Sequence, residues 1–172
     1  MDRRQTAKNT AIIAVMAAIL ISAKFALYSV ANVEIVTPLI IVFTCVFRFK
    51  RVIFSVLIFC LLDNFLYYFS LLVTIQYFFH WPLLCLFSEL TYKIFKARFL
   101  PFTFLAVFFA LLFWVETSAI YFIFNFQPFL PSLILGYPFM IPMAISAFFT
   151  VFFGFIPLYK ILIKIEQKMF YY

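Results

Sequence analysis

Charged residues are scarce in this chain of 172 residues. Only 11% are Asp, Glu, Lys or Arg, whereas 68% are hydrophobic and 24% are aromatic. Because a soluble domain has about 25% charged residues, those present here are too few to cover a surface in water. The sequence therefore predicts an integral membrane protein without a separate soluble domain.

Glycine is scarcer still. The two glycines, Gly136 and Gly154, cannot form a phosphate-binding loop of the pattern GxxxxGK[ST], so we expect no ATP hydrolysis by this chain. A two-metal acidic pattern, an HExxH helix and a suitably spaced Ser/Lys pair are also missing, so we expect no enzyme. The three cysteines lie in apolar segments without a CxxC motif, and we interpret them as buried structural residues, with no metal or cofactor: Cys45, Cys60 and Cys85.

The apolar residues fall into six stretches with short connections. Since a membrane-spanning helix takes about 20 residues, we predict one all-α membrane domain over residues 1–172, a compact bundle of six transmembrane helices. The predicted helices are 8–30, 36–47, 52–69, 73–95, 101–125 and 137–165. The second is short, and its start predicts Thr37 as the N-cap, followed by Pro38 at the first helical position.

In this predicted six-helix topology, nearly all Lys and Arg residues lie on one side of the membrane. Twelve of the 13 lie at the start of the first helix, at the end of the chain, or in and beside the second and fourth loops. They are Arg3, Arg4, Lys8, Arg48, Lys50, Arg51, Lys93, Lys96, Arg98, Lys160, Lys164 and Lys168. The positive-inside rule then predicts that both termini are cytoplasmic in a cell-membrane protein.

Six ionisable residues lie within or beside the apolar segments, where a charge costs at least about 2.5–3.5 kcal/mol. Glu89 stands four residues before Lys93, which predicts an i,i+4 ion pair at the interface. The other five belong to the outer half of the membrane. By helical rise, four of them lie roughly 10–13 Å below the outer helix ends, and Glu34 lies at the surface. The four are Lys24, Asp63, His80 and Glu116.

Neutral polar and aromatic residues accompany these five. The set that we predict to contact a ligand adds Asn32, Asn64, Tyr67, Gln76 and Trp81. We expect an outward-facing recess formed by helices 1, 3, 4 and 5. The alternative is a buried ion pair that only orders the bundle, in which Lys24 pairs with Asp63, Glu34 or Glu116.

Small residues follow one face of the first helix, at spacings of three and four residues. They are Ala7, Ala11, Ala14, Ala18 and Ser22. Such a face allows another helix to approach closely. It either packs inside this protein's own bundle or docks on a separate subunit.

The alanine-striped helix is followed by N-V-E-x-V-T-P at 32–38, and the stretch from Leu62 to Leu84 contains L-D-N-F, then T-x-Q and W-P. Over about residues 8–90 the chain resembles the substrate-binding S components of energy-coupling factor (ECF) transporters, which are of the ABC type. It departs from that pattern at Asp63, where Ser is usual, and at 67–72, where glycines are expected.

The resemblance implies that the chain captures a vitamin or similar micronutrient at the outer side of a prokaryotic plasma membrane, with the 32–34 loop in the site. It also implies docking, through an AxxxA face on helix 1, with a membrane coupling subunit and two ABC-type ATPases. Ala7/Ala11 and Ala14/Ala18 match that spacing. Cobalamin, another B vitamin and a queuosine-like base all remain open as ligands. The competing interpretations are a noncatalytic six-helix scaffold of the cell-shape protein type and a small intramembrane enzyme; we expect no nucleic-acid partner.

Overall fold

The computed structural model describes residues 3–27, 29–30, 33–47 and 49–170, with all their side chains except those of Arg4, Tyr67, Tyr68 and Phe170. These residues form six α-helices and one short π-helix. The helices are α1 (Arg3–Ala26), α2 (Val36–Val46), α3 (Phe49–Asp63), the π-helix (Asn64–Tyr68), α4 (Leu71–Phe95), α5 (Phe99–Asn125) and α6 (Phe129–Phe170). The predicted all-α class and the count of six helices are confirmed for this part of the chain.

Four of the helices are long and apolar enough to cross a membrane. The spans are Gln5–Ala26, Leu71–Phe95, Phe99–Asn125 and Phe129–Met169. The second helix has 11 residues and the third has 15, so neither reaches about 20 residues alone. Length and composition thus support a membrane protein.

Helix α2 forms the centre of the bundle. Every residue from Val36 to Cys45 is buried, and the helix contacts each of the other five. A helix that is hydrophobic on all sides either lies in the core of a protein or spans a membrane, and α2 is enclosed by the other helices. The short second helix that the sequence predicts is therefore the core of the fold.

The predicted start of the sixth helix at residue 137 is wrong. Helix α6 begins at Phe129 and runs for 42 residues to Phe170. Its interior holds Pro138 and Pro142, because membrane helices tolerate proline where neighbouring groups satisfy the freed carbonyls. At 1.5 Å per residue, α6 is about 63 Å long, roughly twice the thickness of the hydrocarbon core.

The other predicted bounds shift by a few residues. The first helix spans Arg3–Ala26 rather than 8–30, because its polar first turns contain good helix formers. The third starts at Phe49 and changes at Asn64 into the π-helix, where the Phe69 N–H donates to the Asn64 carbonyl at 3.0 Å. The fourth and fifth each start two residues early, and the second ends one residue early.

The predicted N-cap at Thr37 is also wrong. The residue before α2 is Ile35, and its side chain makes no capping hydrogen bond. Thr37 is the second residue of the helix, and its hydroxyl donates back to Glu34 Oε2 at 2.8 Å. The Thr side chain therefore orients a candidate site residue instead of capping the helix.

Both chain ends belong to the same end of the bundle. Lys8 Nζ donates to the Met169 carbonyl at 2.7 Å, which joins the start of α1 to the end of α6. The predicted pair between Glu89 and Lys93 is confirmed at 3.3 Å, and all three cysteines are buried as predicted. We call the opposite end, with connections 27–35, 64–70 and 126–128, the distal end.

Candidate ligand-binding site

Lys24 near the end of α1 contacts two groups from other helices. Its Nζ donates to Asp63 Oδ2 of α3 at 2.6 Å and to the Tyr77 hydroxyl of α4 at 2.8 Å. The same nitrogen lies 4.6 Å from the centre of the Tyr77 ring, in cation–π range. Of the three acids that the sequence left open as partners of Lys24, the structure pairs it with Asp63.

Two polar atoms beside this pair lack hydrogen-bond partners. Asp63 is fully buried, and among the described residues nothing donates to its Oδ1. Trp81 is also buried, and no described group accepts from its Nε1. Since buried polar atoms are nearly always satisfied in native proteins, an unpaired acceptor and an unpaired donor are the kind of groups that a ligand or water fills.

A second ion pair joins α4 to α5. His80 Nδ1 and Glu116 Oε2 lie 2.7 Å apart. The imidazole is almost fully buried and meets the Phe113 ring edge-on, with ring centres 5.2 Å apart. Glu116 is 19% exposed and Lys24 is 16% exposed, so each pair has one buried and one partly exposed partner.

Aromatic side chains connect the two ion pairs. The Trp81 ring lies 4.8 Å from His80 and 5.8 Å from Tyr77, both edge-on. Phe113 packs against Tyr77 at 6.2 Å. The predicted Lys24, Asp63, His80, Trp81 and Glu116 are thus brought into one continuous cluster. Within the cluster Lys24 pairs with Asp63, and His80 contacts Glu116.

Glu34 approaches the cluster from the α1–α2 connection. Its backbone N–H donates to Ser146 Oγ of α6 at 2.8 Å, and its carboxylate accepts from the Thr37 hydroxyl. Burial raises the pKa of the Glu34 carboxyl, against the hydrogen bond from Thr37 and the nearby charges of His80 and Lys24. Glu34 therefore lies within electrostatic reach of both ion pairs.

Two predicted site residues form hydrogen bonds within the protein. Asn64 Oδ1 accepts from the Ser70 N–H at 3.2 Å, which stabilises the turn after the π-helix. Gln76 Nε2 donates to the Phe113 carbonyl at 2.8 Å and to Thr117 Oγ1 at 2.7 Å, which links α4 to α5. Asn32 and the Tyr67 side chain lie outside the described residues, so their predicted roles stay predictions.

The small-residue face of α1 is uncovered. All five of its residues are exposed, while the opposite face of the helix buries Ile12, Met16 and Leu20. The stripe is therefore not the surface by which α1 packs on the described part of this chain. The five are Ala7, Ala11, Ala14, Ala18 and Ser22.

Sequence reasoning missed three partners of these side chains. The partners are the Tyr77 hydroxyl, Ser146 and Thr117. Tyr77 stands three residues before His80, a spacing that places both on one helix face, so that signal was present. Ser146 offered only an isolated hydroxyl in an apolar run, which does not reveal what it contacts.

Comparisons with known proteins return no match: no family model, curated protein or solved structure is similar to this chain. Within the described residues, no three His, Cys, Asp or Glu side chains come together as metal ligands. The polar cluster and the exposed face of α1 are the features of this structure that bear on function.

Proposed function

We propose that this protein is the membrane-embedded substrate-binding subunit of an ECF-type importer. It captures a small micronutrient, such as a B vitamin, in the cluster near its distal end. It then docks on a separate membrane coupling subunit, which two ABC-type ATPases drive. The distal end faces outward in this proposal, and both termini lie in the cytoplasm.

The exposure of the small-residue face of α1 carries the proposal. Burial against lipid does not drive helices together, so close contact depends on small side chains that let backbones approach. Ala14 and Ala18 are exposed on the side of α1 opposite its packed face. A second helix from outside the chain can therefore pack closely there without displacing any part of the bundle.

The polar cluster supports ligand binding at the same time. Ionisable groups inside a membrane are expensive and commonly mark substrate or ion pathways. Here two ion pairs from four helices meet beside the unpaired Asp63 Oδ1 and Trp81 Nε1. In this proposal the two atoms are the polar groups with which a bound ligand forms hydrogen bonds.

Copurification tests the docking proposal. The tagged protein is purified from membranes of its own host in mild detergent, and its partners are quantified by mass spectrometry. We expect one multi-spanning protein and ATPases that carry a GxxxxGK[ST] loop. Ala14→Trp should reduce their recovery at least about tenfold, because the bulky ring holds the two helices apart.

Ile145→Trp is the matched control, since Ile145 of α6 is 52% exposed and lies away from the small-residue face. This variant should recover the same partners as the wild type. If both variants lose them equally, or if the wild type brings down no ATPase, the importer proposal fails. The scaffold alternative then becomes the better interpretation.

A further inference from the structure

A groove runs between α4 and α5 beside the polar cluster. Its volume is about 190 Å³, and its walls combine four aromatic rings with the aliphatic side chains of Leu72, Val73 and Ile120. The aromatic residues are Tyr77, Phe113, Trp114 and Tyr121. No charged residue lines this groove, so it suits a flat apolar molecule.

Gln76 provides one specific hydrogen-bonding atom in the groove. Its Nε2 donates to the Phe113 carbonyl, which can only accept, so the orientation of the carboxamide is determined. The remaining oxygen, Oε1, accepts no hydrogen bond from a described residue, and Gln76 lines the groove although it is only 5% exposed. The groove therefore includes an acceptor whose carboxamide is held in place by two bonds to α5.

The surroundings of the groove determine how a ligand reaches it. The next residues along the two helices, Leu71 and Phe122, are 73% and 53% exposed. The chain has no charged residue between Glu116 and Lys160, so the adjoining surface of α5 and α6 carries no charge. A molecule dissolved in the bilayer can thus approach from the side.

We propose that this groove binds a planar, mainly apolar molecule that partitions into the bilayer and donates one N–H to Gln76 Oε1. The groove is a second site, distinct from the polar cluster of the proposed function, and the class of molecule that it takes is small nitrogen heterocycles. Ligand sites for drug-sized molecules measure about 300–1,000 Å³, so a groove of about 190 Å³ takes one ring system and not a cobalamin. Tyr77 and Phe113 separate the groove from the two ion pairs.

Tryptophan fluorescence can test this directly. The chain has two tryptophans, and Trp114 lines the groove, so Trp81→Phe leaves a single reporter there. The full-length protein in lipid nanodiscs is titrated with 5-bromoindole, whose bromine quenches tryptophan and whose ring carries one N–H. The control compound is 5-bromo-1-methylindole, which lacks that donor.

We expect saturable quenching by 5-bromoindole and only a linear, partition-driven decrease with the methylated compound. Gln76→Leu should raise the apparent Kd roughly three- to tenfold, as expected for loss of one hydrogen bond. Gln127→Leu, the same change at an exposed position outside the groove, should leave the Kd unchanged.

Identical linear quenching by both compounds, or an unchanged Kd in Gln76→Leu, would overturn the groove proposal. Neither result affects the importer proposal, because that is tested by copurification. If Trp81→Phe fails to fold, the titration is run on the wild type, with Trp114→Phe as the reference that isolates the Trp114 signal.

Discussion

The Lys24 ammonium and the Asp63 carboxylate lie 2.6 Å apart and join α1 to α3. Asp63 has no exposed surface, and Lys24 has little. Lys24 Nζ also donates to the Tyr77 hydroxyl, so this bond connects three helices at one point. Any change to one partner therefore acts on the packing of the bundle as well as on the candidate site.

The first prediction concerns this ion pair. Asp63→Asn removes the counter-ion and leaves the Lys24 ammonium buried, which should lower the free energy of unfolding by about 3–5 kcal/mol. The double variant Lys24→Met/Asp63→Leu has no buried charge and should recover most of that loss. Thermal unfolding in detergent, followed by circular dichroism, measures all three proteins under the same conditions.

Glu89→Gln is the control for this comparison. The Glu89–Lys93 pair is partly exposed and lies within one helix, so its loss should change stability by at most about 0.5 kcal/mol. An Asp63→Asn protein as stable as the wild type would show that the pair does not order the bundle. The cluster would then be better explained by ligand binding alone.

The helices were predictable because the apolar runs are bounded by charges or turns. The start of α6 was not, since the stretch 125–137, which contains Pro128 and Pro131, read as a loop by rules drawn from soluble proteins. In this structure Pro131 lies in the first turn of α6. Side-chain identity near 129–137 therefore did not reveal the boundary, which packing against α5 determines.

That these residues lie at one level of the bundle was predictable, but their pairing was not. Helical rise places Lys24, Asp63 and His80 at similar depths, and the structure brings them into one cluster. Which acid meets Lys24 depends on the rotation of each helix about its own axis. Those rotations follow from the packing of the helices around the buried α2. This packing cannot be deduced from a single sequence.

The second prediction compares the same substitution, glycine to alanine, at the two glycines of the chain. A Cβ at Gly136 would lie 2.8 Å from Trp114 Cε3, and the Trp114 ring is stacked on Phe139 with ring centres 5.7 Å apart. Gly136→Ala should therefore destabilise the protein by about 1–3 kcal/mol through overpacking. At Gly154 the nearest atom is 3.8 Å away, so Gly154→Ala should stabilise α6 by up to about 1 kcal/mol.

Thermal unfolding of both glycine variants tests this prediction, because the two changes add the same methyl group to the same helix. Opposite shifts in melting temperature are expected. If Gly136→Ala melts at or above the wild-type temperature, the close contact between α6 and Trp114 is not a packing constraint.

The third prediction follows from the raised pKa of Glu34. Burial raises the pKa of this carboxyl above its ordinary value of 4.5, so the native state holds the proton more tightly than the unfolded state. That contribution to stability is complete below pH 4.5 and is lost as the pH rises through the native pKa. Glu34→Gln lacks this dependence.

Melting temperatures of the wild type and Glu34→Gln, compared from about pH 4 to about pH 8, measure the effect. Relative to the variant, the wild type should become less stable as the pH rises. A difference that stays constant over this range would show that the Glu34 carboxyl is solvated and has an ordinary pKa.

The last prediction concerns the orientation of the bundle in the membrane. Twelve basic residues favour cytoplasmic termini, and the bond from Lys8 to Met169 holds both ends of the chain together. Single cysteines replace Val33 and Leu130, which are exposed at the distal end, and Gln5 and Lys168 near the termini, in a background without the three native cysteines. In intact cells a membrane-impermeant maleimide should label positions 33 and 130, and positions 5 and 168 only after permeabilisation. Labelling of position 168 in intact cells would reverse the assigned orientation and place the polar cluster toward the cytoplasm.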